Sequence, residues 1–113
     1  MNAELTNQLY AEFPYLYRGR TRPTDESSMH WGFECGDGWF LLIRELSRDL
    51  MLYLENHLGL DLEVTQVKSK FGTFRFHVRG GDDGVRRLVL QAQERAGIIC
   101  ELSGKSLLFP VDK

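Results

Sequence analysis

Near Glu63 the spacing of the apolar residues changes from three and four to two. Upstream, Phe40, Ile43, Leu46, Leu50, Tyr53, Leu54 and Leu58 recur at helical intervals, which gathers them on one side of a helix. Asp37 or Gly38 can begin that helix, and Gly59 is a natural stop. Leu41, Leu42, Met51 and Leu52 extend the apolar surface beyond one stripe, so the helix is expected to be packed on two sides. Downstream, over residues 63–79, Thr65, Val67, Ser69 and Phe71 share one face of a strand. Phe74, Phe76 and Val78 share one face of the next, with Phe71 and Gly72 at the turn. A core helix followed by a β-hairpin specifies an α+β fold: two or three helices on one face of a small antiparallel sheet.

The flanks are consistent with that plan. In "NAELTNQLYAEF" Leu5, Leu9 and Phe13 recur every four residues, Asn2 can cap the start, and Pro14 disfavours helix at the residue before it. The next segment, residues 14–30, holds two prolines, a glycine and several Ser, Thr and Asp residues without periodicity, and reads as a long irregular connection. After "GGDDG", Asp83 can cap a third helix with a stripe of Val85, Leu88, Val89, Ala92 and Ala96 ending at Gly97. The tail "IICELSGKSLLFPV" has two short apolar runs around a Ser-Gly turn, compatible with small strands or with an extended segment that completes the core.

A length of 113 residues accommodates one hydrophobic core, so residues 1–113 are expected to form a single domain. The longest strongly apolar run, "GWFLLI", is too short to span a bilayer, and the first residues lack the pattern of a signal peptide. A cytoplasmic protein with no membrane partner is expected. Residues 1–62 carry ten acidic against five basic side chains, whereas residues 63–113 carry nine basic against six acidic. That imbalance concentrates positive charge in the second half without the basic excess typical of duplex binders.

Two groups stand out as contact candidates. On the outer face of the hairpin, Lys68, Lys70, Arg75, His77 and Arg79 alternate with the apolar residues. Such a face is either solvated, which also protects a sheet edge, or a surface for phosphates or an acidic partner. In "YRGRTRP", Arg18, Arg20 and Arg22 form a second basic cluster. "HWGFECGDGW" gathers Trp31, Trp39, three glycines, Cys35 and His30 at the expected start of the core helix. The two tryptophans can anchor the connection and Asp37 can cap the helix. Cys35 beside a helix N-terminus with His30 upstream could be imagined as a nucleophile and base, but nothing in the sequence orients them. The spacings of Cys35, Cys100, His30, His57 and His77 match no zinc pattern, so no metal or other cofactor is expected.

The segments "CGDGWFLLIREL", "VTQVKSKFGTFRFHV" and "CELSG" resemble a family of small uncharacterised bacteriophage and prophage proteins. That family combines a Cys-Gly-Asp-Gly-Trp box with a Val-Lys-x-Lys-Phe-Gly-x-x-Arg-Phe hairpin and a late Cys-Glu-x-Cys-Gly. Ser103 stands here where the pattern has its second late cysteine, which removes a Cys-x-x-Cys role from this chain. The resemblance implies a phage accessory protein without an assigned activity. By analogy with small phage proteins that inhibit host defences such as CRISPR complexes, the expected function is non-enzymatic binding of a host protein or complex. The contact residues would come from the hairpin face, the arginine loop, Trp31 and Trp39, since Arg and Trp are common interface anchors. The alternative is a nucleic-acid-binding regulator that uses the same basic residues.

Overall fold

A computed structural model describes residues 1–107. The chain is an α+β protein with helices α1 (Ala3–Glu12), α2 (Phe40–Glu55) and α3 (Asp83–Ala96) and strands β1 (Phe33–Glu34), β2 (Leu62–Lys70) and β3 (Thr73–Gly80). No helix among the described residues is long and apolar enough to cross a membrane.

The hairpin forms where the period of two begins. Lys70 pairs with Thr73, so the loop is two residues long, and Phe71 (φ 55°) and Gly72 (φ 78°) both adopt left-handed backbone. Two positive φ values make this the mirror-image turn whose twist matches a right-handed ribbon. Phe74 and Phe76 point into the core as expected, and Phe74 meets Trp39 edge-on with centroids 5.2 Å apart. Removing a ring from such a site costs about 3–5 kcal/mol. On β2 the expected face is interrupted. A bulge between Val64 and Gln66 shifts the register, so Leu62 and Val64 are buried before it and Val67 after it. Phe71 belongs to neither face, because the turn projects it into solvent.

The sheet is mixed rather than purely antiparallel. Phe33 and Glu34 pair in parallel with Val67 and Lys68, giving the order β1-β2-β3. The parallel partner comes from the end of the long connection, which the lack of periodicity concealed. That connection is packed rather than loose: Leu16, Tyr17 and Met29 are fully buried. Leu16 O accepts from Val64 N at 2.9 Å, and Ser28 N donates to Thr65 O at 2.7 Å. Residues 14–32 therefore form a strap laid along the β2 edge. Single turns of 3-10 helix at Arg18–Thr21 and Met29–Trp31 bend it into place.

The helices keep their apolar stripes but shift at their ends. Asn2 caps α1 by accepting from Leu5 N at 2.8 Å, and Leu9 is buried. Asp37 does not cap α2. Its carboxylate accepts from the Asn2 backbone and side-chain nitrogens, while residues 37–39 form a 3-10 turn before α2 starts at Phe40. The helix stops at Glu55, short of Leu58 and Gly59, and Leu58 lies exposed. Helix α2 meets α3 along one flank, and on another Tyr17 hydrogen-bonds Ser47 at 2.7 Å, while Leu41 and Leu52 stay in solvent. The cap of α3 is Asp82, one residue before the expected Asp83, accepting from Val85 N at 3.1 Å. Beyond it, the described part of the tail forms no strand, only an isolated antiparallel bridge between Ile99 and Ser106, and residues 108–113 of the tail lie outside the described residues.

Candidate functional site

The strap divides the outer face of the hairpin into a covered half and an open half. In the covered half Leu62 and Val64 turn inward, which forces Glu63 outward beneath the strap, where its side chain is 3% exposed. Three guanidinium groups close on this carboxylate. Arg22 Nε donates to Oε2 at 2.8 Å, Arg79 Nη1 lies 3.4 Å from the same oxygen, and Arg18 Nε lies 3.7 Å from Oε1. Arg18 also donates to Tyr15 O, Leu62 O and Asp61 Oδ1, each at 2.8 Å. Tyr15 donates its hydroxyl to Asp61 at 2.7 Å; this bond and the Arg18 charge hold the Asp61 carboxyl below its ordinary range. Arg79 additionally donates to Glu26 O. A buried carboxylate is tolerable only when paired and hydrogen-bonded in this way. Arg18, Arg22 and Arg79, expected as contact residues, are thus occupied in fastening the strap to the sheet.

The open half holds the remaining hairpin residues. Register places Glu34, Lys68 and Arg75 in one row across the three strands, Gln66 beside His77, and Lys70 beside Thr73. Rows on one face repeat at about 7 Å, and opposed side chains on neighbouring strands start about 5 Å apart, so the charges form one patch. Lys70 and His77 are exposed and Lys68 and Arg75 half-buried; among the described residues none of the four makes an ion pair. The acid at the margin is Glu34, which accepts from Gln66 at 3.5 Å. Arg75 Nε is buried without a hydrogen-bond partner among the described residues, which costs about 1–3 kcal/mol. Lys68 and Arg75 directly opposite each other add like-charge repulsion. This half is therefore a positive surface maintained at some cost to stability.

The hairpin tip borders the patch. Phe71 is 94% exposed, and Lys70 Nζ stands 5.9 Å from its ring centroid. A bulky residue in left-handed backbone costs roughly 1–2 kcal/mol, and this turn type favours Asn or Gly at the same position. Strain of this kind concentrates at functional positions. Arg20 sits apart, with its guanidinium 5.2 Å from the Tyr10 ring centroid.

The tryptophans separate. Trp39 is 1% exposed, and its indole N–H donates to Ile99 O at 3.2 Å, so the expected contact residue is a core residue instead. Trp31, expected to anchor the connection on the core, is 64% exposed, packs edge-on against His30, and lines a cavity of about 350 Å3 with Tyr10 and Phe33. Burial pushes the Cys35 thiol up to about 12, the opposite of what a nucleophile needs. Among the described residues no group of three ligating side chains converges.

The Cys-Gly-Asp-Gly-Trp box has a structural explanation. Gly38 N donates to Glu101 O at 2.7 Å, Gly36 N to Glu101 Oε2 at 2.9 Å, and Ser69 Oγ to Glu101 Oε1 at 2.8 Å. All three segments that carry the resemblance therefore meet at Glu101. A Cβ on Gly38 would stand 2.5 Å from Gly104 N and 2.6 Å from Glu101 O, which explains why a side chain is excluded there.

Sequence reasoning missed Glu63 and Phe71. Glu63 flanked by two inward apolar residues, together with three arginines in one short loop, was the available signal for the first. A Phe-Gly pair at a two-residue turn was the signal for the second. No protein-family model, curated protein or solved structure matches the chain.

Proposed function

We propose that this chain is a non-enzymatic binding protein that presses the open half of its hairpin face, with Phe71 at the tip, onto an acidic surface of a host protein or complex. The observation that carries the reading is the contrast between the two halves. Under the strap Arg18, Arg22 and Arg79 are each paired with Glu63, whereas among the described residues Lys68, Lys70, Arg75 and His77 stand together without ion-pair partners and end at an exposed, strained aromatic ring. Aromatic rings and arginines are enriched in protein interfaces, and positive charge around them complements an acidic partner. The resemblance to phage and prophage accessory proteins makes a host target the natural partner, with a defence assembly such as a CRISPR complex as the first candidate. Burial of the Cys35 thiol, which raises its pKa, weighs against its use as a nucleophile.

The test is an affinity pull-down from bacterial lysate, with and without nuclease, comparing the parent with Lys70→Glu/His77→Glu. Both side chains are exposed, so the variant should keep its melting temperature. Capture of a discrete, nuclease-resistant complex by the parent, and its loss in the variant, is the expected result. Undiminished capture by the variant refutes the reading. Partners that vanish on nuclease treatment, with affinity falling steeply with salt, establish phosphate binding instead.

A further inference from the structure

We propose that the outer edge of β3 is a docking site for an extended segment of the partner in which acidic and apolar residues alternate, added as a fourth strand. The inference rests on the binding reading above and specifies how the partner is held.

The direction of each β3 peptide group follows from the ends of the ladder. Lys70 and Thr73 close the two-residue turn, and Gly81 N donates to Asp61 O at 2.9 Å at the far end. In an antiparallel ladder the residues between alternate, so Thr73, Arg75, His77 and Arg79 bond β2 while Phe74, Phe76 and Val78 turn their N–H and C=O groups outward. Gln93 agrees: its side chain reaches over from α3 to donate to Phe74 O at 3.2 Å. Among the described residues no other strand pairs with this edge.

Beside the edge runs an apolar groove. Phe76 and Val78 from β3 and Val89 and Leu90 from α3 line a cavity of about 230 Å3, with Arg86 at its margin and paired to Asp83. Leu90 is 58% exposed. An added strand would bond the groups of Phe76 and Val78 and send every second side chain into this groove, while the intervening side chains lie beside Arg75 and His77. Apolar residues suit the first set and carboxylates the second. Self-pairing of two copies through this edge would instead gather the Arg75 guanidinium groups of both copies on one face, and like charges across strands are destabilising. Charge therefore selects an acidic strand over a second copy.

Two synthetic nine-residue peptides of equal composition test the proposal, one alternating Glu with Val and one with the same residues in blocks. Binding is followed by calorimetry, and amide exchange of the full chain by NMR. The alternating peptide should bind at least about tenfold more tightly. It should slow exchange of the Phe76 and Val78 amides and weaken several-fold in Leu90→Gln, whose exposed site leaves folding intact. Equal binding of both peptides, with exchange at Phe76 and Val78 unchanged, overturns strand addition while the basic-face reading stands. Binding of neither peptide overturns both. Concentration-dependent protection of the same amides without peptide overturns the acidic occupant in favour of a second copy.

Discussion

Replacing Phe71 by Asn separates stability from binding, because the two should move in opposite directions. The residue occupies the first left-handed position of the hairpin turn, with φ 55°, and its ring is 94% exposed. Little apolar burial is lost on truncation, and the ring's contact with Lys70 at 5.9 Å in solvent contributes at most about 1 kcal/mol. Against this stands the roughly 1–2 kcal/mol cost of left-handed backbone for an ordinary residue, much of which Asn relieves. The balance is a gain of about 0.5–1 kcal/mol. For a domain of this size that raises the melting temperature by a few degrees, since 1 kcal/mol corresponds to roughly 4–8 °C. Urea unfolding followed by Trp fluorescence measures the gain, and the pull-down measures the expected loss of partner. A Phe71→Asn protein less stable than its parent refutes the assignment of the ring to solvent. One that is more stable yet binds fully refutes the assignment of the ring to the interface.

Gly38→Ala places a methyl against the backbone of Cys100, Glu101 and Gly104 and should cost about 2–4 kcal/mol, the value of one neutral and one charge-assisted hydrogen bond at Glu101. Gly97→Ala, with φ −64° and no atom nearer than 3.4 Å, should be neutral or gain up to about 1 kcal/mol; equal urea midpoints for the two variants would contradict the close approach at Gly38. Titration of the native protein with a disulfide reagent at pH 8 should show one reactive thiol, Cys100, whose pKa is lowered by hydrogen bonds from Ser103, while Cys35 reacts only after unfolding; two fast native thiols would expose Cys35. The Asp82 carboxyl is held below its ordinary value by the Val85 amide and the Tyr53 hydroxyl. Its stabilising contribution is therefore complete above the unfolded pKa of about 3.9 and is lost as pH falls through the lower folded value. Asp82→Asn keeps the cap but should flatten the fall of stability below about pH 4, and unchanged slopes in urea melts across that range would contradict this account.

The elements were legible where one physical rule decided them. Helical and alternating periods located α1, α2, α3 and the hairpin, and the inward set of Phe74 and Phe76 followed from alternation alone. Helix ends were less legible because caps are settled by competition: Asn2 claims Asp37, so the expected α2 cap becomes a tertiary contact. The strap was illegible, since Leu16, Tyr17 and Met29 are buried by long-range pairing with β2 and not by any local period. The candidate site was half legible. The basic face was visible as alternation, but which arginines remain free depends on Glu63, and a single buried acid leaves no periodic trace.

The strap also sets an order of events in folding. The hairpin closes across two residues, and loops that short form on the microsecond scale. The strap is pinned by pairs such as Leu16 with Val64, separated by most of the first half of the chain, and it needs the finished β2 edge as a template. We therefore expect the strap to be the last segment to settle, with Arg18 and Arg22 capturing Glu63 only once both strands are in register. Pulse-labelled amide exchange during refolding should show Ser28 and Val64 protected after Lys70 and Thr73; simultaneous protection would mean that strap and ribbon condense together.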